Sequence, residues 1–226
     1  MERIGCGRTA EVFDYGDGKI LKLFFPEYPK LYAELEYRNA KTLFDLGVRV
    51  CQPFEMKDFD GRVGIVYERI TGPSLLEQLQ TNIHVETQAD AAGLLAQVHQ
   101  SLLSHHSDEL IDYRDFLATV IGEENEKNSA LLQEIRALPA GNCVMHGDYH
   151  PGNLLLDENG APVLVDFLNV CRGDARYDIA RTYFLLHHSA PGFAELYLSK
   201  MGTRFEEIES FYDLICRYRK FENPEE

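Results

Sequence analysis

The chain contains no tryptophan and no Cys-x-x-Cys pair, no apolar run approaches the ~18 residues that cross a bilayer, and basic residues are few. Each absence removes a class of function. Its cysteines, Cys6, Cys51, Cys143, Cys171 and Cys216, are odd in number and widely spaced, so they read as reduced thiols and not as a disulfide frame or zinc site. A reducing interior follows. Met1-Glu2-Arg3-Ile4-Gly5 opens without an apolar signal region, so the expected location is the cytoplasm, with no membrane partner. Against 37 Asp+Glu stand only 22 Lys+Arg, a net charge of −15. Nucleic acid is therefore not an expected partner, because phosphate contacts need a basic face. A small cationic molecule suits the balance better, although the same excess of carboxylates also serves solubility.

What remains is an ordinary globular composition: 226 residues, 45% apolar and 26% charged, which is material for one large domain or two lobes. Disorder, collagen and coiled coil are excluded. Asp17-Gly18 and Asp60-Gly61 lie between apolar runs, and such pairs favour hairpins because both turn residues tolerate positive φ. Strands are expected near residues 2–6, 10–15, 19–25, 51–58 and 62–70, with a single helix near 29–46. After Thr71-Gly72-Pro73 the period becomes helical, with Ala91, Leu95, Val98 and Leu102, then Tyr113, Phe116, Leu117 and Val120, then Leu131, Leu132, Ile135 and Leu138. Short apolar runs at 143–145, 154–156 and 163–165 interrupt it, the last two joined across Asn159-Gly160. The pattern predicts an α+β fold, with a small antiparallel sheet and one helix over residues 1–71 and a mainly helical part over 72–226. The tail Asn223–Glu226 is expected to fray.

The densest polar cluster is His146-Gly147-Asp148-Tyr149-His150-Pro151-Gly152-Asn153, followed by Asp166 after a third apolar run. One carboxylate there can serve as a base, while an amide and a second carboxylate supply two hard-oxygen ligands, for which magnesium is the natural guest. In the first part, Gly5-Cys6-Gly7-Arg8-Thr9-Ala10 spans a presumed hairpin, where small residues let backbone N–H groups approach an anion. Lys22 alternates with Leu21 and Leu23 and shares a face with Ile20 and Phe24, so it reads as half-buried. Helical spacing turns Glu34 outward with Arg38, Lys41 and Asp45, and turns Glu36 inward with Tyr32, Ala40 and Leu43. A buried carboxylate needs a partner, and Lys22 on the adjacent strand is the candidate.

The spacing His146-x-Asp148, Asn153, Asp166 resembles the catalytic loop and metal-binding aspartate of eukaryotic-type kinases, and His-Gly-Asp-Tyr-His-Pro-Gly-Asn-Leu-Leu resembles the version found in aminoglycoside phosphotransferases and choline-kinase-like enzymes. The likeness runs from the Gly5 loop through Lys22, Glu36 and Val66–Gly72 to Gly173-Asp174-Ala175-Arg176-Tyr177-Asp178-Ile179-Ala180. It implies a bilobal protein-kinase-like fold with ATP and Mg2+ held between sheet lobe and helical lobe. It also implies roles: Asp148 receives or orients the acceptor's proton, and Asn153 and Asp166 hold magnesium. The Gly5 and Gly7 backbone cradles phosphate, Lys22 contacts the α and β phosphates under the hold of Glu36, and the backbone of residues 67–70, Glu68 and Ile70 in particular, pairs with adenine. Asp178 braces the catalytic loop. The acceptor would meet residues from 75–140 and from the segment after 188. Two departures stand out. Ala10 replaces the third glycine of the phosphate loop, and Phe167-Leu168-Asn169 lacks the glycine of the protein-kinase Asp-Phe-Gly, which points away from a protein kinase.

Simpler readings exist for each residue alone. Gly5-x-Gly7 can be a plain turn, Lys22 a snorkelling side chain, His99 a hydrogen-bonded core histidine, and Asp178 a helix N-cap. The joint spacing favours a small-molecule kinase. The alternatives are an inactive nucleotide-binding module and a phosphoesterase using His146, Asp148, His150 and Asp166 on metal.

Overall fold

The computed structural model describes residues 1–81 and 85–222, so the expected fraying of Asn223–Glu226 lies outside the described residues. The chain forms two compact units: Met1–Leu75 with Gly152–Asn169, and Leu76–Pro151 with the residues from Val170 onward.

The first unit is built on five antiparallel strands, β1 (Arg3–Cys6), β2 (Ala10–Gly16), β3 (Lys19–Phe24), β4 (Pro53–Phe59) and β5 (Arg62–Glu68), in the order β1-β2-β3-β5-β4. Both Asp-Gly turns form as the sequence demands, with φ of 50° and 70° at Asp17 and Gly18 and of 53° and 85° at Asp60 and Gly61. The first turn fixes the β2–β3 register, which sets Lys22 against Val12, and the ladder between β3 and β5 sets it against Ile65 on the other side. One sheet face buries Leu21, Leu23 and Val66 under Phe13, Tyr15 and Phe59, each large side chain contributing about 1.5–3 kcal/mol of burial. Helix α1 (Lys30–Asp45) connects β3 to β4 and turns Ala33, Glu36, Asn39, Ala40, Thr42 and Leu43 inward. Tyr32 stays 41% exposed, because it lies on the flank of the first turn beside Tyr28.

The hairpin of β7 (Leu154–Leu156) and β8 (Pro162–Leu164) also belongs to this unit. Cys51 N donates to Leu164 O and Leu164 N to Arg49 O, while Leu156 N donates to Pro73 O. At Gly72 a Cβ would stand 1.8 Å from Leu156 O, so only glycine permits this approach.

The second unit is helical: α2 (Leu75–Thr81), α3 (Val85–Leu103), α4 (Tyr113–Ile121), α5 (Ser129–Arg136), α6 (Ala175–Ser189), α7 (Pro191–Met201) and α8 (Phe205–Glu222). Local chemistry sets the breaks. Asp112 and Asp174 cap α4 and α6 by accepting from the amides two residues on, Pro191 opens α7, and Gly202 ends it at φ 69°. A two-stranded ribbon of β6 (Cys143–Met145) and β9 (Cys171–Gly173) runs beside them. β9 is too short and too polar at Arg172 to show in the sequence pattern. Among the described residues no helix is long and apolar enough to cross a membrane.

Candidate active site

In the sheet unit the ion cluster begins with strand alternation. Lys22 and Tyr67 lie on one face, since Lys22 neighbours Ile20 and Ile20 pairs with Tyr67. Helix α1 covers that face with Glu36, which is 2% exposed. Lys22 Nζ donates to Glu36 Oε1 at 2.8 Å and Oε2 at 3.0 Å, and Tyr67 O–H donates to Oε1 at 3.2 Å. The same ammonium reaches Asp166 Oδ1 at 3.3 Å. Burial works against the charge on Lys22, yet the two carboxylates outweigh it and raise its pKa above the lysine value. Burial pushes the Glu36 carboxyl up, and Lys22 and Tyr67 oppose this. The Lys22 direction governs: an ammonium held by three contacts to two carboxylates stays protonated at neutral pH, so the pair is ionic.

Asp166 follows β8 and is 48% exposed at its side chain. Its backbone sits at φ 66°, the left-handed region that aspartate tolerates better than most residues. Two contacts fix the loop behind it: Asn39 Nδ2 donates to Phe167 O at 2.9 Å, and the buried Phe167 ring lies 6.2 Å from Tyr67. Asn153 ends the short turn Pro151–Asn153 before β7, and its carbonyl accepts from Val165 N at 3.1 Å. The hairpin register thus brings a carboxamide residue and a carboxylate residue to the same end of β7 and β8.

Gly5 lies in β1 and Gly7 in the turn to β2, closed by Gly7 N donating to Ala10 O at 2.9 Å. A Cβ at either glycine would meet nothing nearer than 3.6 Å, and neither has positive φ, so the chain's own packing does not require glycine there. At the end of β5, Glu68 takes both Arg49 guanidinium nitrogens at 3.0 and 3.2 Å and the Gln52 amide at 3.2 Å. Ile70 lies two residues beyond, half-buried and outside any strand.

Asp148 belongs to the helical unit, on the loop after β6, with its carboxylate 4.0 Å from His150 Nε2 and about one-third exposed (30%). The loop is braced from α6. Asp178 Oδ2 accepts from His146 N at 2.7 Å and Oδ1 from Gly147 N at 2.9 Å. Gly147 takes φ 74°, which aims two successive amides at one carboxylate. Arg181 Nε donates to Gly147 O at 3.3 Å, and Tyr149 O–H to Leu95 O at 2.8 Å. Asp178 is wholly buried; burial would raise its carboxyl, but the His99 ring and the backbone amide hold it below the usual carboxylate value. The helix N-cap is Asp174, not Asp178.

The structure therefore brings Lys22, Glu36 and Asp166 into one cluster, sets Asn153 beside Asp166 along the backbone, and gives Asp148 a separate setting in the other unit. Three residues of the first cluster escape a reading of spacing alone. Tyr67 is one, although its alternation with Ile65 next to Lys22 carried the signal. Asn39 is another, three residues after Glu36 and hence on its face. Tyr28 is the third: burial and the Glu36 charge push its phenol up to about 12, and its ring stacks on Phe24 at 5.0 Å, over which Lys22 Nζ stands at 5.5 Å.

Solved structures share this architecture. An aminoglycoside-3'-phosphotransferase of type VIII is 21% identical, with 96% of this chain and 91% of that one covered at a TM-score of 0.66. An aminoglycoside phosphotransferase from Streptomyces rimosus, in complex with ADP and streptomycin, is 14% identical over 92% of this chain and 90% of that one, at 0.65. An ADP-bound aminoglycoside 2''-phosphotransferase is 14% identical over 98% and 84%, also at 0.66. At such identities the likeness establishes the kinase-like fold. No curated protein sequence matches the chain. The sequence profile of the phosphotransferase enzyme family, however, matches residues 1–207, and the chain belongs to that family.

Proposed function

We propose that this phosphotransferase moves the γ-phosphoryl group of ATP, taken as its magnesium complex, to a hydroxyl of a small cationic acceptor in the reducing cytoplasm. The observation that carries the reading is Lys22 Nζ, 2.8 Å from Glu36 and 3.3 Å from Asp166. A lysine so fixed is a poor surface residue and a good point charge for phosphate oxygens. Residues 1–71, with Asn153 and Asp166, serve the nucleotide; residues 72–226 otherwise serve proton transfer and acceptor.

Magnesium suits the donors at hand. Asp166 is half-exposed, Asn153 stands on the neighbouring strand end, and both offer hard oxygens. Bound there, the ion would neutralise charge on the triphosphate as the bond to the leaving ADP breaks. Gly5 and Gly7 would offer backbone N–H groups to phosphate, and the absence of any internal packing demand for glycine supports that use. Glu68 and Ile70 would meet adenine through their backbone, with Arg49 and Gln52 holding Glu68 in place. Asp148 would accept the acceptor's hydroxyl proton as the new O–P bond forms. Nothing more covalent is asked of the protein, because phosphoryl transfer depends on positioning and charge stabilisation.

The acidic balance of −15 supports a cationic acceptor, and the structural relatives named for streptomycin and gentamicin act as a guide to class. Purified protein with ATP, magnesium and a panel of aminoglycosides, choline, amino-acid alcohols and ketosamines tests this. Acceptor-dependent ADP release from one of them is expected. ATP binding without turnover on any would instead support a binding module. Among the described residues no group of three His, Cys, Asp or Glu is placed to hold a metal ion, and zinc retained through purification would favour the phosphoesterase reading.

A further inference from the structure

His99 lies on α3, wholly buried, yet both ring nitrogens are engaged. Nδ1 is 2.6 Å from the Tyr197 hydroxyl of α7, and Nε2 is 3.0 Å from Asp178 Oδ2 of α6. That carboxylate is the one that receives the His146 and Gly147 amides, and Gly147 immediately precedes Asp148. The donors and acceptors follow from the end of the chain. An ionised carboxylate can only accept, so His99 Nε2 carries hydrogen and donates to it, while Nδ1 meets the Tyr197 hydroxyl. Three helices and a loop are joined by one polar line of wholly buried side chains. Apolar side chains of similar volume would fill this space at lower desolvation cost, whereas a satisfied polar line admits only one arrangement of the loop.

We infer that His99 is a positioning residue for the transfer reaction: it holds the Asp178 carboxylate, and through it the two amides that set where Asp148 stands, while Tyr197 holds the ring by its other nitrogen. The inference rests on the proposed role of Asp148. The groups that face Asp178 are His99 from α3, Tyr197 from α7, His146 and Tyr149 from the loop, and Cys171 from β9, with Arg181 one turn further along its own helix and bonded to Gly147 O. Among the influences that oppose burial, the His99 hydrogen bond is the largest, so its removal raises the Asp178 carboxyl.

Three variants test this: His99→Leu, which keeps bulk and removes both contacts; His99→Gln, whose amide N–H can reach Asp178; and Tyr197→Phe. With Mg-ATP and whichever panel acceptor supports turnover, His99→Leu is expected to lower kcat about 10- to 100-fold while KM for Mg-ATP stays within about twofold. The acid limb of its kcat profile moves to higher pH, and hydrogen exchange at the His146 and Gly147 amides accelerates. His99→Gln restores kcat, pH limb and exchange, and Tyr197→Phe gives a smaller fall of the same kind. A His99→Leu protein with a lower Tm but wild-type kcat and pH profile would show a packing role only and overturn the inference. Should His99→Leu not fold, Tyr197→Phe decides, and unchanged kcat with unchanged exchange at the two amides overturns it. If the wild-type protein turns over no acceptor, the transfer reading fails by itself; exchange at those amides then still separates the two, since acceleration in His99→Leu upholds the link and unaltered exchange breaks it.

Discussion

In the sheet unit a lysine 17% exposed stands between a buried and a half-exposed carboxylate, so charge is balanced by charge and one partner remains open to solvent. In the helical unit Asp178 is 0% exposed and is held by two backbone amides and a histidine, with no lysine on it. The first arrangement can exchange partners, as the proposed grip on phosphate would require. The second cannot, as befits a loop that must stay still. The contact to the half-exposed Asp166 costs little to open, whereas a carboxylate buried on backbone donors is costly to disturb.

The sharpest way to break this contrast is Asp178→Ala. It leaves two loop amides and a histidine without their acceptor in the interior, and is expected to cost about 3–4 kcal/mol, read from the urea midpoint at unchanged m-value. Loss of under about 1 kcal/mol would mean that water or another group replaces the carboxylate readily. Glu36→Ala should act on function as well as on stability, since Lys22 and Tyr67 both lose a buried acceptor. Lys22 keeps Asp166, so the fold survives, but the ammonium is no longer aimed, and KM for Mg-ATP should rise about tenfold, or about 1.4 kcal/mol.

The expected α+β architecture, the five strands, the single helix of the sheet unit and both Asp-Gly turns were legible because local pattern and local chemistry agree there. The Lys22–Glu36 pair was legible for the same reason, each residue being placed by its own period. The grouping of Gly152–Asn169 with the sheet was not, because it depends on Gly72 admitting Leu156 O and on Leu164 bonding Arg49 and Cys51, contacts far apart in sequence. β9 was hidden by its three residues, and Asn39 and Tyr67 by having no charge to balance. Asp178 showed as a loop brace through resemblance alone; its partner His99 showed as a polar residue on an apolar stripe, without its contacts.

Acid sharpens the comparison further. The Asp178 carboxyl lies below its ordinary value of 3.8 in the folded chain, so its contribution is complete above that pH and is lost as pH falls below it. Unfolding free energy should fall by up to about 1.4 kcal/mol per pH unit for this one proton, and Asp178→Asn should flatten that part of the curve. At the small end stands the Arg217–Glu134 pair joining α8 to α5, with side chains 50% and 40% exposed. Arg217→Ala should change stability by less than about 1 kcal/mol despite its short contacts, and by less still in 1 M salt.

Calorimetric titration of Mg-ATP into the wild-type protein and the Lys22→Met, Asp166→Asn and Asp148→Ala variants bears most directly on the division of labour. Lys22→Met and Asp166→Asn are expected to weaken binding at least about tenfold, and Asp148→Ala to bind within about threefold of wild type while releasing no ADP to any acceptor. Undiminished binding by Lys22→Met, or near-normal turnover by Asp148→Ala, would contradict it.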